Sequence, residues 1–250
     1  MLRSNIATLL ACLAFSLAAA AQNTLKIGVA DSDGPPIAVV SNNVLVSGIT
    51  KEIGTLLAHE LDVKPTFIVI SRKRVESAIE TGHIDIICNA NPDWYDDAGQ
   101  LQWTREIFPQ IEKIATLDTV GDINRQNELS GMRIATIHGY SYPTMEQMWS
   151  SGQASQTTEE NLSLMMKAVS GRLADAAIVS ELEFAAWARS NPQAAPRLKL
   201  HPLIVTSVPT MCALSPASNF KLANLDRAID HLHQTGAFKA LLHRYQWHPD

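Results

Sequence analysis

Residues 80–94 read Glu80-Thr81-Gly82-His83-Ile84-Asp85-Ile86-Ile87-Cys88-Asn89-Ala90-Asn91-Pro92-Asp93-Trp94. The stretch predicts a helix that ends at Gly82, because glycine readily takes the left-handed conformation that many helix C-termini need. The apolar run from Ile84 to Cys88 predicts a short buried strand. A turn rich in hydrogen-bonding groups follows at 89–92, with Trp94 close behind. Because ligands of open α/β sheets bind beyond the carboxyl ends of strands, the stretch predicts one wall of a ligand site.

The same order of features returns about ninety residues later, in residues 168–180. They read Ala168-Val169-Ser170-Gly171-Arg172-Leu173-Ala174-Asp175-Ala176-Ala177-Ile178-Val179-Ser180. This is again a helix, a glycine, an aspartate, an apolar strand and a polar end. Two such units predict two similar lobes that present strand ends to a common cleft. A chance likeness between two short segments is the alternative, since the glycine and the aspartate are not equally spaced in the two copies.

Length and composition restrict the class of protein. The chain has 250 residues, of which 46% are hydrophobic and 18% charged, so a disordered or fibrous protein is excluded. This length allows one large domain or two small ones. The formal net charge is -5, whereas a nucleic-acid-binding domain normally carries a basic face. We therefore expect no nucleic acid among the partners.

Residues 1–21 have the pattern of a secretory signal peptide. Arg3 supplies the positive start, Ile6 to Leu17 is almost wholly apolar, and Ala18 to Ala21 offers the small residues of a cleavage site. A transmembrane anchor fits less well, because the apolar run is shorter than the roughly 20 residues that a span needs. A lipoprotein signal at Cys12 also fits poorly, since too little apolar sequence precedes it. We predict cleavage near Ala21 and a periplasmic location.

Export would leave two cysteines, Cys88 and Cys212. In an oxidising compartment they can form a disulfide. Because both lie in apolar, strand-like runs, two buried free thiols fit the sequence equally well. The sequence has neither a CxxC motif nor a cluster of cysteines and histidines, so we expect no metal site and no cofactor.

Predicted strands and helices alternate along the first part of the chain. Each boundary is marked by a change between strand-like and helical spacing of the apolar residues. The order β-α-β-α-β with short connections predicts a parallel sheet with right-handed crossovers. The segments are strands at 25–30, 65–70 and 84–88 and helices at 49–61 and 72–81.

The pattern restarts after the polar residues 118–129, which predict a crossing between lobes or an exposed loop. A turn at 138–143 leads from a strand into a helix. The last segment, 220–247, predicts a helix with a break at Gly236, and we expect its apolar face to pack on the first lobe. The other segments are strands at 132–137 and 175–179, helices at 159–172 and 181–188, an edge strand at 197–200 and a separate strand-like run at 208–214.

Several short motifs follow one another in a distinctive order and spacing. They are Leu25-Lys26-Ile27-Gly28-Val29, Pro35-Pro36, Gly48, Gly82 with Asp85-Ile86-Ile87, Leu129-Ser130-Gly131-Met132-Arg133-Ile134-Ala135, Gly139, Gly171-Arg172 with Asp175-Ala176-Ala177, and Gly236-Ala237-Phe238-Lys239-Ala240-Leu241. Through them, residues 25–247 resemble the periplasmic solute-binding proteins of the polar-amino-acid type, family 3, which serve ABC importers. The resemblance implies a small-molecule ligand, hinge closure around it, and a membrane ABC permease or receptor as partner.

The resemblance also implies the architecture. We predict an α/β fold of the two-lobed periplasmic binding protein type, with two crossing strands between the lobes. Each lobe is expected to hold a mostly parallel sheet flanked by helices, and the protein to be a monomer. After a signal peptide at 1–21, the first lobe comprises residues 22–117 and 206–250, and the second comprises residues 118–205.

Two positions depart from the family pattern. The resemblance implies an arginine shortly after the third strand for the ligand's carboxylate, and an aspartate after the last strand of the second lobe for its amino group. Here residues 91–97 contain no arginine, and Ser180 stands where the aspartate is expected, although a one-residue slip would bring in Glu181. A standard α-amino acid would therefore bring unpaired charge into a closed cleft, which costs free energy. We predict a neutral or mono-anionic ligand that can contain a ring.

Arg74 begins the helix that ends at Gly82 and can replace the missing arginine, because a guanidinium binds a carboxylate through two hydrogen bonds. A solvated charge in the run Arg72-Lys73-Arg74 is the alternative. Residues 140–142 precede a predicted helix N-terminus, whose free N–H groups attract anions, although their rings can instead fasten the turn.

Other candidates lie at the predicted strand ends. Trp94 can stack on a ring or a cation, or anchor its own loop. Asp31 ends the first strand and can hold a cationic group or cap its own turn. The candidate ligand-binding residues are Asp31, Arg74, Asn89, Asn91, Trp94, Tyr140, Ser141, Tyr142 and Ser180.

Binding and catalysis are both compatible with this fold, because function depends on the site. No GxSxG, HExxH or dinucleotide-loop motif occurs, and this favours a binding protein over an enzyme. We predict periplasmic binding of a small polar solute and its delivery to a membrane ABC importer. The alternatives are an exported lyase or dehydratase that uses Asp93, Asp96 or Glu181, and a periplasmic sensing partner of a membrane receptor.

Overall fold

A computed structural model describes residues 24–138 and 142–246. Within these ranges the strands are β1 (Thr24–Ala30), β2 (Val39–Ser41), β3 (Val44–Ser47), β4 (Lys64–Ile70), β5 (Ile86–Ala90), β6 (Gln102–Trp103), β7 (Phe108–Leu117), β8 (Arg133–Ile137), β9 (Ser155–Glu159), β10 (Ala176–Ser180) and β11 (Leu198–Leu214). The α-helices are α1 (Ile49–Glu60), α2 (Val75–Glu80), α3 (Glu146–Ser150), α4 (Leu162–Ser170), α5 (Glu181–Ser190), α6 (Leu222–Gln234) and α7 (Ala237–Tyr245). No helix in these ranges has the length and apolar character needed to cross a membrane.

Two parallel units flank a pair of long antiparallel strands in the main sheet. β1 pairs in parallel with β4 and β5, and β8 pairs in parallel with β9 and β10. β7 and β11 lie between the two units and run antiparallel to each other. The strand order is β4-β1-β5-β11-β7-β10-β8-β9, with β6 paired to β11, while β2 and β3 form a separate hairpin. This order confirms the predicted α/β fold with two mostly parallel units.

β11 is a continuous strand of 17 residues that contributes to both units. It pairs with β7 as far as Thr210 and with β5 from Met211 onward. The prediction of two separate segments in this region is therefore wrong. Register shifts between Leu200 and Thr206 accommodate Pro202, which lacks the N–H group that a regular ladder uses.

β9 is a second difference from the sequence prediction. It pairs with β8 at the edge of the sheet, and its residues are polar, so it has no apolar alternation that could have revealed it. The helix predicted to begin at residue 159 begins instead at Leu162. Asn161 precedes it, and its side chain accepts a hydrogen bond of 3.1 Å from the Leu164 N–H, which satisfies one free donor of the first turn.

The C-terminal helices pack on the first unit, as the apolar spacing predicted. Leu225 and Ile229 of α6 are buried in the same cluster as Leu25 of β1 and Ile53 of α1. Gly236 separates α6 from α7 with a φ of 73°, a left-handed conformation that glycine adopts without steric cost. The chain therefore returns to its first unit after crossing along β11.

Cys88 and Cys212 form a disulfide that joins β5 to β11. Because the two sulfur atoms are bonded, the alternative of two buried free thiols does not hold. The bond links positions 124 residues apart, and it therefore lowers the conformational entropy of the unfolded chain by the closure of a long loop.

Candidate functional site

The carboxyl ends of β1, β4 and β5 lie side by side. Ala30 of β1 is level with Ile70 of β4, so the residues that follow these strands meet at one edge of the sheet. There, the Arg72 N–H donates a hydrogen bond of 3.0 Å to Asp31 Oδ1. The structure therefore places Asp31 at the predicted strand-end site and brings Arg72 beside it.

Arg72 is the centre of this group. Its Nη2 donates a hydrogen bond of 3.2 Å to the Trp94 carbonyl, and its Cζ lies 5.6 Å from the centroid of the Tyr95 ring. Tyr95 is itself held by an edge-on contact with Trp103, at a centroid distance of 5.3 Å. The guanidinium is thus fixed between a peptide carbonyl and an aromatic face, and it remains exposed to solvent. A guanidinium held in this way is suited to bind an anionic ligand group.

Two groups near Arg72, Tyr95 and Asp33, have raised pKa values. Burial raises the pKa of Tyr95 to about 12, and the nearby Arg72 only partly opposes this shift. Burial also raises the pKa of Asp33 to about 6, against the lowering effects of the Ala30 N–H and of Arg72. Tyr95 is therefore neutral at pH 7, and Asp33 takes up a proton in mildly acidic solution.

Arg74, the arginine favoured from the sequence, lies outside this group. It is exposed at the start of α2, and within residues 24–138 and 142–246 its side chain makes no hydrogen bond or ion pair. Arg72 comes two residues earlier and directly after Ser71, the first residue beyond β4. The rule that ligands bind at strand ends, applied to the observed end of β4, favours Arg72 over Arg74 as the candidate.

Asn91 and Trp94 shape the turn after β5. The Asn91 side chain is 4% exposed, donates a 2.8 Å hydrogen bond to the Pro209 carbonyl and accepts one of 2.8 Å from the Asp93 N–H. It therefore holds the turn against β11. Trp94 is 38% exposed, so its ring is available to stack on a ligand. Asn89 is partly buried, and its φ of 54° is unusual for a residue other than glycine.

The candidates at residues 140–142 are not all part of an open site. The Tyr142 ring is 2% exposed and packs edge-on against Trp149, at a centroid distance of 6.3 Å, in a core cluster with Met145. It lies in the core of the second unit rather than at an open strand end. Tyr140 and Ser141 lie outside the described residues.

Ser180 ends β10 and is the N-cap of α5. It is 4% exposed, and its N–H donates to the carboxylate of Glu183, three residues later. The sequence Ser-x-x-Glu is the signature of a capping box, but the Ser180 side chain makes no cap hydrogen bond, so only the Glu183 half of the box is present. Directly across the sheet from Ser180 is Glu112 of β7, which accepts a 2.5 Å hydrogen bond from the Thr206 hydroxyl.

The carboxylates near Ser180 already have partners. Burial raises the pKa of Glu112. Burial and the nearby negative charge of Glu112 raise the pKa of Glu183 to about 7, while the Ser180 N–H opposes the shift. Glu181, the alternative to Ser180, forms an ion pair with Lys113. The second unit thus contains acids near the strand end, but each is engaged by the protein itself.

Replacing Glu183 with glutamine is expected to change the pH dependence of stability. The pKa of Glu183 rises from its usual 4.5 to about 7 in the folded protein, so folding favours the protonated form. The free energy of unfolding therefore falls as the pH rises from about 4.5 to about 7, and Glu183→Gln should remove about 2 kcal/mol of that fall. Urea unfolding at pH 5 and pH 8 measures the difference. Glu160→Gln, at an exposed position, is the control, and an unchanged pH dependence in Glu183→Gln would contradict the assignment.

The model of the bacterial extracellular solute-binding proteins, family 3, matches residues 25–248. No protein with curated annotation matches the sequence.

Solved structures of similar shape are numerous. The L-cystine solute receptor of Neisseria gonorrhoeae, in its unliganded open conformation, has a TM-score of 0.72 at 16% identity, over 90% of this chain and 94% of that one. A probable amino-acid ABC transporter extracellular-binding protein of Bacillus subtilis has a TM-score of 0.72 at 14% identity, over 89% and 97%. The second substrate-binding domain of Lactococcus lactis GlnP, also open, has a TM-score of 0.70 at 15% identity, over 91% and 97%. At these identities the likeness shows a shared fold, which is the two-lobed fold of periplasmic binding proteins.

Proposed function

This chain belongs to family 3 of the bacterial extracellular solute-binding proteins, and we propose that it binds a small polar solute in the periplasm and delivers it to a membrane ABC importer. The observation that carries this proposal is the group at the strand ends, where Arg72 is fixed between the Trp94 carbonyl and the Tyr95 ring. Export through cleavage near Ala21 and action as a monomer are parts of the same proposal.

The ligand that fits this group is a small molecule with one anionic group and, beside it, a flat or ring-shaped part. The exposed guanidinium of Arg72 supplies donors for the anion, and the exposed Trp94 ring supplies a surface for stacking. An α-amino acid would add an ammonium group. Ser180 has no carboxylate to bind that ammonium group, and the carboxylate of Glu181 is already paired with Lys113.

Glu112 and Glu183 do not provide a ready substitute for the missing aspartate. The Glu112 carboxylate accepts from Thr206, and that of Glu183 accepts from the Ser180 N–H. Binding an ammonium there would require these bonds to be replaced and Glu183, whose pKa is raised to about 7, to ionise. A ligand without an ammonium group avoids both costs. This is the physical reason for proposing that the solute is not a standard α-amino acid.

A solute importer and a sensing partner of a receptor would share this site, and they differ only in the membrane protein that docks on the closed form. The family and the similar structures are binding proteins, so a lyase is not favoured. Among the carboxylates considered for such an enzyme, Glu181 is committed to Lys113. Capture and delivery of a solute is therefore the function that we propose.

A thermal-shift screen tests the proposal directly. The library should contain aliphatic and aromatic carboxylates, their neutral amide analogues and the twenty amino acids. A ligand present at 100 times its dissociation constant stabilises the folded protein by about 2.7 kcal/mol, which raises the melting temperature by several degrees. We expect carboxylates to give such shifts and their amides to give smaller ones. A screen in which no small polar solute stabilises the protein would contradict the proposed function.

Ligand binding is also expected to close two lobes about β7 and β11. We propose the predicted division, residues 22–117 with 206–250 against residues 118–205, with bending near 116–118 and 205–209. Each lobe offers only part of the site, so the full binding free energy is gained only when the lobes meet. Small-angle scattering should show a smaller radius of gyration with a saturating carboxylate. An unchanged radius with ligand bound would contradict hinge closure.

A further inference from the structure

A β-bulge interrupts β5 next to the turn that carries Trp94. Ile87 pairs with Ala213, and Ala90 pairs with Met211. Two residues of β5 therefore face one residue of β11, because Cys88 and Asn89 lie between the paired positions on one side and only Cys212 on the other. Asn89 has a φ of 54°, the left-handed conformation that an extra residue in a strand can require.

The bulge reverses the side-chain alternation of β5. Ile86 and Cys88 belong to the core cluster that contains α1 and α6, as a regular period of two requires. Ala90 would continue on that face in a regular strand. Instead it lies with Ile87 in the cluster on the opposite side of the sheet. The bulge therefore sets the direction of every side chain that follows, including those of the turn.

The disulfide closes this bulge. Cys88 and Cys212 are the two residues that face each other across it, and their bond fixes how far the strands can slide past one another. Cys212 is held from its other side, because its N–H donates a 2.9 Å hydrogen bond to Thr104 Oγ1 and its carbonyl accepts one of 3.0 Å from the Thr104 N–H. The disulfide thus joins Cys88 to a residue that two hydrogen bonds with Thr104 hold in place.

We propose that the Cys88–Cys212 disulfide is a positioning element of the ligand site, which holds the bulge at Asn89 and thereby fixes the turn that bears Trp94 and receives Arg72. Its relevance to binding rests on the proposed function. Without the bond, the positive φ of Asn89 favours relaxation to a regular strand, because asparagine adopts this conformation more readily than most residues but less readily than glycine. Such a slip by one residue would move Ala90 to the other face and remove Asn91 from the Pro209 carbonyl.

A purely structural disulfide would behave differently. Its only effect would be to restrict the unfolded chain, so its removal would lower the stability of all parts of the protein together. Removal of a positioning disulfide should increase the motion of the turn more than that of the rest of the molecule. It should also become dispensable when Asn89 is replaced by glycine, because glycine accepts the positive φ without strain and holds the bulge unaided.

Amide hydrogen exchange of folded protein without ligand distinguishes these two roles. The probes are the N–H groups of Asp93, Trp94 and Tyr95, which donate within the turn at 2.8, 3.0 and 3.1 Å. The reference is β8 in the other parallel unit. In the double variant Cys88→Ala/Cys212→Ala, we expect exchange in the turn to rise at least about fivefold more than exchange in β8. Adding Asn89→Gly should bring the turn back to within about twofold of the wild-type ratio.

Two results would overturn the proposal: an equal rise in the turn and in β8, or a failure of Asn89→Gly to restore protection of the turn. If the alanine pair does not fold, Cys88→Ala/Cys212→Val fills more of the buried volume and is measured in the same way. Asn89→Gly in the disulfide-bonded protein is the matched control, and it should leave the exchange of the turn unchanged. Because no ligand takes part, a negative result would count against the positioning role and leave the proposed function to its own test.

Discussion

Arg72→Ala is expected to weaken binding of the carboxylate ligand by about 100-fold or more. The guanidinium is held against the Trp94 carbonyl and the Tyr95 ring. Because the Arg72 side chain is already ordered before the ligand arrives, it loses little entropy on binding. Once the cleft closes, removing the cation leaves the ligand's anion buried and unpaired. Calorimetric titration with the carboxylate that gives the largest thermal shift measures the loss.

Arg74→Ala is the matched control for this prediction. Arg74 has the same side chain and lies in the same basic run, but it is exposed at the start of α2 and outside the strand-end group. Its removal should change the affinity less than about threefold, through long-range charge alone. Arg72→Lys should fall between, because an ammonium keeps the charge and loses the two-pronged geometry. Equal losses in Arg72→Ala and Arg74→Ala would contradict the assignment of Arg72 as the anion anchor.

Loss of the disulfide is expected to produce the largest change in stability. Cys88 and Cys212 are 124 residues apart, and releasing a loop of this length lowers the free energy of unfolding by about 4 to 5 kcal/mol in the chain-entropy description. For a protein of this size, the melting temperature should then fall by about 10 to 15 °C. Denaturant unfolding of the oxidised wild type and of Cys88→Ala/Cys212→Ala measures the difference.

A reductant provides the control. The buried bond is reduced only when unfolding exposes it. Unfolding of the wild type in the presence of reductant should therefore have a lower midpoint than unfolding without it. The reductant should have no effect on the variant without the two cysteines. A loss of less than about 1 kcal/mol in both comparisons would show that the cross-link contributes little, because the reduced, unfolded chain already keeps the two segments close.

The sequence predicted the parts of the fold that depend on local patterns. The order of strands and helices in the first unit follows from changes of apolar period, and the apolar face of α6 is buried as its spacing required. β9 was missed because an edge strand of polar residues has no such pattern. β11 was divided because Pro202 and the register shifts beside it interrupt the alternation that marks a continuous strand.

The segments that meet at the strand ends follow from the sequence pattern, whereas the contacts of their side chains do not. The strand-end rule located Asp31 and the turn after β5. The choice between Arg72 and Arg74 required the point at which β4 ends, which the sequence does not mark to within two residues. The bulge at Asn89 changes the direction of the side chains after it, and no property of the sequence alone reveals such an insertion.

Contacts between neighbouring strands of the sheet could not be predicted from local sequence patterns. Glu112 lies opposite Ser180 only because β7 and β10 pair in one particular register, and the ion pair of Lys113 with Glu181 follows from the same pairing. Their positions in the sequence are about seventy residues apart. The pairing of Cys88 with Cys212 likewise depends on β5 and β11 being neighbours, which is why the sequence left it open.

The most direct test of the central claim is calorimetric titration of the wild type with the twenty standard amino acids and, in parallel, with small aliphatic and aromatic monocarboxylates. The double variant Arg72→Ala/Arg74→Ala is titrated with the same compounds. We predict that a monocarboxylate binds the wild type with micromolar affinity, that no standard amino acid does so, and that the double variant loses this binding. Micromolar binding of a standard amino acid that persists in the double variant would contradict the claim.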